Sequence, residues 1–283
     1  MSTVLEYLQK STEFLQKKGI ASPRLNAELL LADVLSCKRL ELYLMYERPL
    51  ADKEIEIYRE YLVRRGKYEP LPYITGTTEF YGHRFAVTPS VLIPRQETEI
   101  LIDAAKLLMK DVQNPVILDL CSGSGNIGLT LAKEFPGATV SLLDIDRDAM
   151  KVAYNNAKSL ALDNGVRFHV QDVRNIADDL GTFDLISANP PYVSLAEYQT
   201  LQEEIVRYEP RKAVTDESDG YTLYNIITQN AKRFLKPRGV LAFEVGHGMS
   251  STVMEMMKAS GFAEVTAVRD YLDIERVVYG RLY

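Results

Sequence analysis

The sequence predicts an α/β fold with a mostly parallel β-sheet, preceded by a small helical domain. From Pro115 onward, short apolar runs alternate with amphipathic segments, a pattern typical of a parallel sheet with helices on both faces. Before about residue 70, apolar residues recur at helical spacing only. The chain has 283 residues, which is long for one small core and suits two domains.

The N-terminal part is predicted to form a helical bundle. Val4, Leu8 and Leu15 repeat at helical spacing, and further helical segments are expected around residues 40–44 and from Asp52. A second helix is predicted to begin at Ser22-Pro23, with the serine hydroxyl as its cap and proline at its first position. The inward-facing positions expected in this helix are Leu25, Leu29, Ala32 and Leu35.

A change of pattern follows the bundle. Residues 77–81 and 84–88 flank Gly82-His83, which indicates a β-hairpin. Arg95 precedes the next helix, and both a structural ion pair and a role at the active site stay open for it. The predicted division is a helical domain at 1–72, a hairpin linker at 73–96 and an α/β domain at 97–283.

Strands and helices of the α/β domain follow from the alternation of apolar runs. The predicted strands are Val116–Leu120, Thr139–Leu143, Val166–Val170, Phe183–Ala188 and Val240–Phe243, and the predicted helices between them are Ile127–Glu134, Arg147–Ser159 and Tyr221–Leu235.

Composition and charge argue against several classes of protein. A hydrophobic content of 46% and a charged content of 25% are those of an ordinary globular protein. The net charge of −6 argues against a large surface for duplex nucleic acid. Two cysteines and three histidines lack the spacing of a disulfide framework or a metal site, so neither is expected. No apolar run suits a membrane span and the N-terminus does not resemble a signal peptide, so we expect a cytoplasmic protein.

A glycine-rich loop follows the first strand of the α/β domain. Gly123, Gly125 and Gly128 fit the pattern G-x-G-x-x-G, and Asp144 ends the next strand about twenty residues later, where it can bind ribose hydroxyls. This pattern leaves a nicotinamide dehydrogenase open. Asp119, before the loop, suits a cationic or amino group better than a pyrophosphate. Asp172, after the third strand, suits either the amine of an adenine or a loop cap.

The fourth strand ends abruptly at Asn189-Pro190-Pro191-Tyr192. Two consecutive prolines lack backbone donors and have a fixed φ, so the strand cannot continue through them. The result is a stiff loop at the carboxyl end of a strand, where open α/β sheets bind their ligands. Taken alone, this sequence favours a rigid turn over a binding loop.

The glycine loop and the three acidic strand ends resemble those of class I S-adenosylmethionine-dependent methyltransferases. Asn-Pro-Pro-Tyr narrows the resemblance to two families. These are adenine-N6 nucleic-acid methyltransferases and protein glutamine-N5 methyltransferases of the PrmC/HemK type, which methylate the Gly-Gly-Gln glutamine of class 1 peptide-chain release factors. The segments that resemble the second family in particular are Glu69–Gly76, Glu79–Tyr81, Leu92–Glu99, Tyr208–Arg211, Glu244–Gly248 and Glu275–Arg281.

The resemblance implies a Rossmann-like seven-stranded sheet, S-adenosyl-L-methionine as cofactor and a helical N-terminal domain that docks the release factor. This sequence departs from the family's pattern at Cys121, where glycine is usual, and at Val173, where an aromatic residue usually packs on the adenine. The residues implied in substrate binding and catalysis are Asn189, Pro190, Pro191 and Tyr192. The residues implied in cofactor binding are Asp119, Cys121, Ser122, Gly123, Ser124, Gly125, Asp144, Asp172, Val173 and Asn189.

The expected chemistry is alignment of a planar amide with a methyl donor. The side-chain oxygen of Asn189 and the carbonyl of Pro190 would accept the two N–H groups of the target amide, and Tyr192 would pack on its plane. The resemblance implies that no side chain has to act as a strong general base in the reaction. On this view, Asn189→Asp keeps an acceptor and should retain more activity than Asn189→Ala. An adenine-N6 methyltransferase and a non-catalytic cofactor-binding module are the alternatives.

Overall fold

The computed structural model describes residues 3–162 and 164–283. The chain forms two compact units. The first comprises Met1–Thr77 together with Gln202–Tyr208, and the second comprises Thr78–Leu201 together with Glu209–Tyr283. We refer to them as the helical unit and the sheet unit.

The helical unit packs around the buried side chains of its first helices, with Leu8, Leu15 and Tyr58 fully buried. Its N-terminal elements are α1 (Val4–Lys17), α2 (Pro23–Val34), a 3₁₀ helix (Arg39–Met45), α3 (Asp52–Arg65) and α4 (Leu71–Thr75).

Two details of α2 differ from the sequence prediction. The helix begins at Pro23 as predicted, but Ser22 has a left-handed backbone (φ 48°) and its hydroxyl makes no capping hydrogen bond. The buried apolar residues are Ala27, Leu30, Leu31 and Ala32, so Ala32 is buried as predicted, whereas Leu25 is 42% exposed. Apolar side chains surround most of this helix, so their spacing alone could not identify the face that packs inward.

The sheet unit contains a seven-stranded sheet, which confirms the predicted seven-stranded α/β fold. A separate hairpin, β1 (Thr77–Phe80) and β2 (His83–Ala86), precedes the sheet. The sheet strands are β3 (Val116–Leu120), β4 (Thr139–Asp144), β5 (Val166–Val170), β6 (Phe183–Ala188), β7 (Leu235–Glu244), β8 (Ala263–Arg269) and β9 (Glu275–Arg281). Their spatial order is β5-β4-β3-β6-β7-β9-β8. Strands β3 to β7 are parallel, and β9 runs antiparallel to both β7 and β8.

Helices cover both faces of the sheet, and side chains alternate between the two faces along each strand. In β3, Ile117 packs in one buried apolar cluster and Leu118 in the other. The helices that follow α4 are α5 (Glu99–Met109), α6 (Asn126–Glu134), α7 (Arg147–Ser159), α8 (Leu195–Tyr198), α9 (Glu203–Tyr208), α10 (Arg211–Val214), α11 (Thr222–Ala231) and α12 (Ser250–Ala259).

Helix α11 is shorter than predicted, because it ends at Ala231 and not at Leu235. The carbonyl of Phe234 accepts a hydrogen bond from the backbone N–H of Phe183 at 2.8 Å, so the chain already pairs with β6 there. The predicted last turn of the helix is therefore the entry into β7.

The strand order reverses between β3 and β6. The chain proceeds from β3 outward through β4 and β5, and then returns to place β6 on the other side of β3. In open α/β sheets, ligands bind at the carboxyl ends of the strands at this point of reversal. The fold therefore brings the loops after β3 and β6 to one place.

Candidate active site

A cavity of about 350 Å³ lies at the carboxyl edge of the sheet, within the sheet unit. Among its lining residues are most of those that the sequence predicted: Cys121, Ser122, Gly123, Ser124, Asp144, Asp172, Val173, Asn189 and Pro191. The other predicted residues, Asp119, Gly125, Pro190 and Tyr192, are not among the residues that line it.

The glycine loop owes its path to left-handed backbone conformations. Cys121, Gly123 and Gly125 have φ values of 57°, 53° and 80°. A Cβ added to Gly123 would have no heavy atom within 4 Å, so this residue borders open space. The loop therefore presents backbone to the cavity.

The third glycine packs helix α6 against the sheet. A Cβ at Gly128 would lie 2.1 Å from Cδ2 of Leu142 and 3.0 Å from Cβ of Asp119, which no side chain tolerates. The backbone N–H of Gly128 also donates to Oδ2 of Asp119 at 3.1 Å. The G-x-G-x-x-G pattern is therefore explained by loop shape and close packing.

Asp119 supports the loop from below. Its side chain is fully buried, Oδ1 accepts from the hydroxyl of Ser187 at 2.9 Å, and Oδ2 accepts from Gly128. Burial raises the pKa of Asp119 to about 7. The sequence suggested that this carboxylate meets an amino group of the ligand, whereas both of its oxygens bond to protein groups.

Asp144 ties β4 to the glycine loop. Its Oδ2 accepts from the backbone N–H of Gly123 at 2.9 Å, and its Oδ1 accepts from the N–H of Asp146 at 2.8 Å. Burial raises the pKa of Asp144. The next residue, Ile145, is 53% exposed and lines the cavity, so it offers an apolar surface beside the carboxylate. Sequence reasoning missed Ile145, although its place directly after the acidic strand end was a usable signal.

Asp172 acts as a loop cap in this structure and also lines the cavity. Its Oδ1 accepts from the backbone N–H of Arg174 at 2.9 Å and from Nε of the same residue at 3.0 Å. The neighbouring Val173 is buried, and its carbonyl accepts from the side-chain amide of Asn230 at 3.0 Å. Val173 has a smaller side chain than the aromatic residue that is usual at this position, and the hydrogen bond to its carbonyl holds its backbone in place.

Asn189 is oriented by a buried glutamate. Its Nδ2 donates to Oε2 of Glu244 at 2.9 Å. Ala188 pairs with Phe243 across β6 and β7, so the register places Asn189 and Glu244 side by side at the ends of neighbouring strands. An ionised carboxylate only accepts hydrogen bonds, so the amide group must face it and Oδ1 stays available as an acceptor.

Tyr192 packs behind the loop. A Cβ at Gly246 would lie 3.1 Å from the ring of Tyr192, and a Cβ at Gly220 would lie 2.4 Å from its carbonyl oxygen. Burial raises the pKa of the Tyr192 hydroxyl. Two glycines without a side chain therefore leave room for the aromatic ring and the loop backbone.

Arg95 forms an ion pair with Glu209, which is buried and also accepts from the backbone N–H of Ile93 at 3.2 Å. Arg95 lines the cavity as well, so the structural ion pair exists at the cavity wall. Two other basic residues of the lining are also paired: Arg174 with Asp172 at 3.0 Å and Lys212 with Asp146 at 2.7 Å.

The charges of the lining favour a cationic ligand over a pyrophosphate. Its carboxylates include those of Asp144 and Asp216, besides those of Asp172, Asp146 and Glu217, which pair with Arg174, Lys212 and Arg211. The uncapped N-terminus of α6 lies at the lining, but the three basic side chains of the lining, which a pyrophosphate would need as partners, already pair with carboxylates. S-adenosylmethionine carries a sulfonium, an amino-acid group and an adenosine. These groups suit the acidic side chains, the exposed loop backbone and the apolar surface of Ile145. The residues present therefore fit S-adenosylmethionine better than a nicotinamide dinucleotide.

Residues 3–162 and 164–283 offer neither a metal site nor a helix suited to span a membrane. They contain no group of three or more His, Cys, Asp or Glu side chains placed to hold a metal ion. None of their helices combines the length and the apolar character that a membrane span requires.

The seven-stranded sheet, its point of reversal and the loops around the cavity define an S-adenosylmethionine-dependent methyltransferase of class I. Solved structures share this fold. The hMettl16 catalytic domain superposes with a TM-score of 0.58 at 15% identity, over 82% of this chain and 82% of that chain. A methyltransferase from Pyrococcus furiosus gives a TM-score of 0.51 at 15% identity, over 82% of this chain and 98% of that chain.

Sequence comparisons identify the family. Residues 6–76 match the PrmC N-terminal domain and residues 111–272 match a methyltransferase domain. The release factor glutamine methyltransferase of Chlorobaculum tepidum is 40% identical over 282 residues, which cover 97% of this chain and 95% of the relative. That of Geobacter sulfurreducens is 38% identical, over 99% of this chain and 97% of the relative. The chain belongs to the release factor glutamine methyltransferase family.

Proposed function

We propose that this enzyme transfers a methyl group from S-adenosylmethionine to the side-chain amide nitrogen of the glutamine in the Gly-Gly-Gln motif of class 1 peptide-chain release factors, in the cytoplasm. The observation that carries the proposal is the orientation of Asn189. Its amide donates to Glu244, which leaves Oδ1 as an acceptor at the wall of the cofactor cavity. Family membership supports the same substrate.

The chain's own residues supply alignment. S-adenosylmethionine supplies, when bound, a methyl group on a positively charged sulfur. Oδ1 of Asn189 and the carbonyl of Pro190 accept the two N–H groups of the target amide in its plane, which directs the nitrogen lone pair, perpendicular to that plane, toward the methyl group. Transfer of this methyl group would leave a neutral thioether, and the target nitrogen would lose one proton to solvent. The two acceptors stabilise the positive charge that develops on the nitrogen.

Prolines suit the positions beside Asn189. Pro190 and Pro191 have no backbone N–H, so the loop presents no donor that would compete for its own acceptors. The ring of Pro190 fixes its own φ, and Pro191 restricts the ψ of Pro190 to extended values, so together they hold the Pro190 carbonyl in one direction. The loop is therefore preorganised for a planar NH₂ group.

The second candidate is methylation of the adenine amine, because Asn-Pro-Pro-Tyr would hold any planar NH₂ group in the same way. The net charge of −6 and the acidic cavity wall weigh against a nucleic acid substrate. We therefore propose a protein substrate, with neither nucleic acid nor a membrane as a direct partner.

Mass spectrometry of the methylated product tests this function. The full-length protein is incubated with labelled S-adenosylmethionine and a class 1 release factor, and a single label is expected on the motif glutamine. A release factor with asparagine at that position is the matched control and should stay unlabelled. Label on an adenine-containing RNA or DNA, with none on the release factor, would establish the second candidate instead.

We also propose that the helical unit, corresponding to the predicted domain at 1–72, docks the release factor. Its 3₁₀ helix Arg39–Met45 exposes Leu40 (69%), Tyr43 (45%) and Leu44 (88%) on one short segment. Contiguous apolar side chains on a surface are typical of protein interaction sites. This segment is the proposed contact for the protein substrate.

Substitution of the exposed leucines tests the docking role. Leu40→Ser with Leu44→Ser should raise the KM for an intact release factor by about tenfold, since two interface side chains lose on the order of 1 to 2 kcal/mol together. Affinity for S-adenosylhomocysteine should stay unchanged. Leu107→Ser, at a residue 66% exposed in the sheet unit, is the control. Equal KM values for all variants would contradict docking through this segment.

A further inference from the structure

Glu244 is a buried glutamate whose side chain contacts Asn189 directly. It ends β7, is 3% exposed, and its Oε2 accepts from Nδ2 of Asn189 at 2.9 Å. Its backbone carbonyl accepts from the hydroxyl of Tyr224 at 2.8 Å, so its main chain is fixed as well. Burying a carboxylate costs free energy unless the group is hydrogen-bonded or paired with a charge.

The groups around Glu244 come from several elements. Arg276, on β9, lowers its pKa, and Glu97, just before α5, raises it. The hydroxyl of Thr98 donates to the carboxylate. The charge of Glu244 in turn adds to burial in raising the pKa of Tyr192. Tyr224 is affected in the same direction, first by burial and then by Tyr192 and Glu244.

We infer that Glu244 is a positioning residue for the methyl transfer, and that it acts in its ionised form through the amide of Asn189. The inference rests on the proposed function, since it concerns how Asn189 presents its oxygen to the target amide. It assigns a role to a residue that no substrate atom needs to touch.

Ionised Glu244 does two things to Asn189. It accepts only, so the asparagine NH₂ must face it and Oδ1 must face away. It also polarises the asparagine amide, which makes Oδ1 a stronger acceptor as positive charge develops on the substrate nitrogen. Both effects disappear when the carboxyl group of Glu244 is protonated. The charge that polarises the asparagine amide is then lost, and the new O–H can donate to Oδ1 and compete with the substrate for this acceptor.

Protonation falls within an accessible range of pH. Burial is the largest cause of a pKa of about 7 for Glu244, with Thr98, Arg276 and Asn189 opposing it. Turnover should therefore rise with pH through about 7 in the wild-type enzyme. The sign follows from the role, because the ionised form is the one that orients Asn189.

The principal test is the pH profile of single-turnover methylation of a release factor at saturating cofactor. Glu244→Gln keeps the shape but lets its own amide face Asn189 either way. We expect a rate loss of about tenfold to a hundredfold at pH 8, typical of a group that orients another. The pH step near 7 should vanish in the variant, while affinity for S-adenosylhomocysteine stays within about twofold.

A double-substitution cycle separates positioning from general support of the fold. If Glu244 acts through Asn189, adding Glu244→Gln to Asn189→Ala should slow the enzyme no further. Additive losses would overturn the inference. If Glu244→Gln fails to fold, the pH profile of Asn189→Ala still decides: the step near 7 must be present in wild type and absent from that variant.

The outcomes also separate this inference from the proposed function. A wild-type enzyme that does not methylate the release factor contradicts the proposed function. A wild-type enzyme that does so, with no pH step near 7 and with Glu244→Gln equally fast, contradicts only the role of Glu244.

Discussion

Two loops meet at the carboxyl edge of the sheet, and a buried carboxylate stands behind each. Asp119 lies under the glycine loop and Glu244 lies behind Asn189. Burial raises the pKa of both to about 7. The difference lies in what they hold: Asp119 bonds to the backbone of Gly128 and the hydroxyl of Ser187, whereas Glu244 bonds to a side chain that faces the substrate.

Burying a carboxylate therefore has a similar electrostatic cost at the two loops but serves two purposes. The carboxylate under the glycine loop shapes the cofactor side of the site, where all its partners are parts of the protein framework. The carboxylate behind Asn189 shapes the acceptor side, where its partner must present one atom and not another. Loss of the first charge should therefore affect cofactor binding and stability, and loss of the second should affect turnover.

The largest expected effect concerns the residue held by Glu244. Asn189→Ala removes one of two acceptors in a water-excluded site, which is worth about 2.7 to 4 kcal/mol. Single-turnover methylation should slow by about a hundredfold to a thousandfold, with a much smaller change in S-adenosylhomocysteine affinity. A rate equal to wild type would reduce Asn189-Pro190-Pro191-Tyr192 to a turn.

The contact with Glu244 reverses the expectation for Asn189→Asp. From the sequence alone, an acceptor oxygen at this position favoured aspartate over alanine. In the structure, an aspartate would place a second carboxylate about where Nδ2 now lies, 2.9 Å from Oε2 of Glu244. Two carboxylates at that distance must share a proton. We now expect Asn189→Asp to be at least as slow as Asn189→Ala above pH 7, and a faster aspartate variant would contradict the contact.

The second effect is the pH dependence of stability conferred by Asp119. Its folded pKa of about 7 lies above the ordinary value of 3.8. Its contribution to stability is therefore fully present below pH 3.8 and is lost as the pH rises through about 7. In the Asp119→Asn variant the amide oxygen can still accept from the backbone N–H of Gly128. This variant has no carboxyl group at position 119 to ionise, so it does not lose stability in this way as the pH rises. Its free energy of unfolding relative to wild type should grow by on the order of 3 to 4 kcal/mol between pH 4 and pH 8.

Urea denaturation at several pH values measures this growth in stability, and Glu244→Gln is the matching variant at the second loop. Both variants should gain stability over wild type as the pH rises, because both remove a carboxylate with a raised pKa. They should differ in turnover at saturating cofactor, where only Glu244→Gln is strongly impaired. Equal impairment of the two variants would break the distinction between the loops.

The sequence predicted the sheet well because local signals dominate there. Strand β6 was predicted with its observed bounds, since an apolar run that ends at two prolines has one simple interpretation. The G-x-G-x-x-G pattern and Asp144 were equally visible, and the structure brings Gly123 and Asp144 to one cavity with Asn189.

The contacts that cross between strands were beyond sequence reasoning. Glu244 belonged to a recognisable segment, but only the pairing of β6 with β7 places it against Asn189, fifty-five residues away. The burial of Asp119 and its bond to Ser187 depend on a neighbouring strand and are not visible in the sequence. The sequence therefore suggested Asp119 as a ligand candidate. Spacing along the chain carries no information about such pairs.

The smallest expected effect concerns the backbone of the glycine loop. Cys121 adopts a left-handed conformation (φ 57°), which costs a non-glycine residue roughly 1 to 2 kcal/mol. Its side chain also packs against a buried apolar cluster, and burial raises the pKa of its thiol, so the group is neutral. Cys121→Gly relieves the backbone but loses that packing and gains unfolded-state entropy.

Thermal unfolding of two variants separates these contributions. Ala161 has the same conformation (φ 55°) but is exposed, so Ala161→Gly should stabilise the protein by about 0.5 to 1 kcal/mol through the backbone alone. Cys121→Gly should gain less than this control, because the thiol's packing is lost with the strain. Affinity for S-adenosylhomocysteine should change by less than about threefold, since Cys121 contributes backbone to the loop and no charge. A larger gain for Cys121→Gly than for Ala161→Gly would mean that the thiol itself is strained, and that the loop tolerates it at a cost.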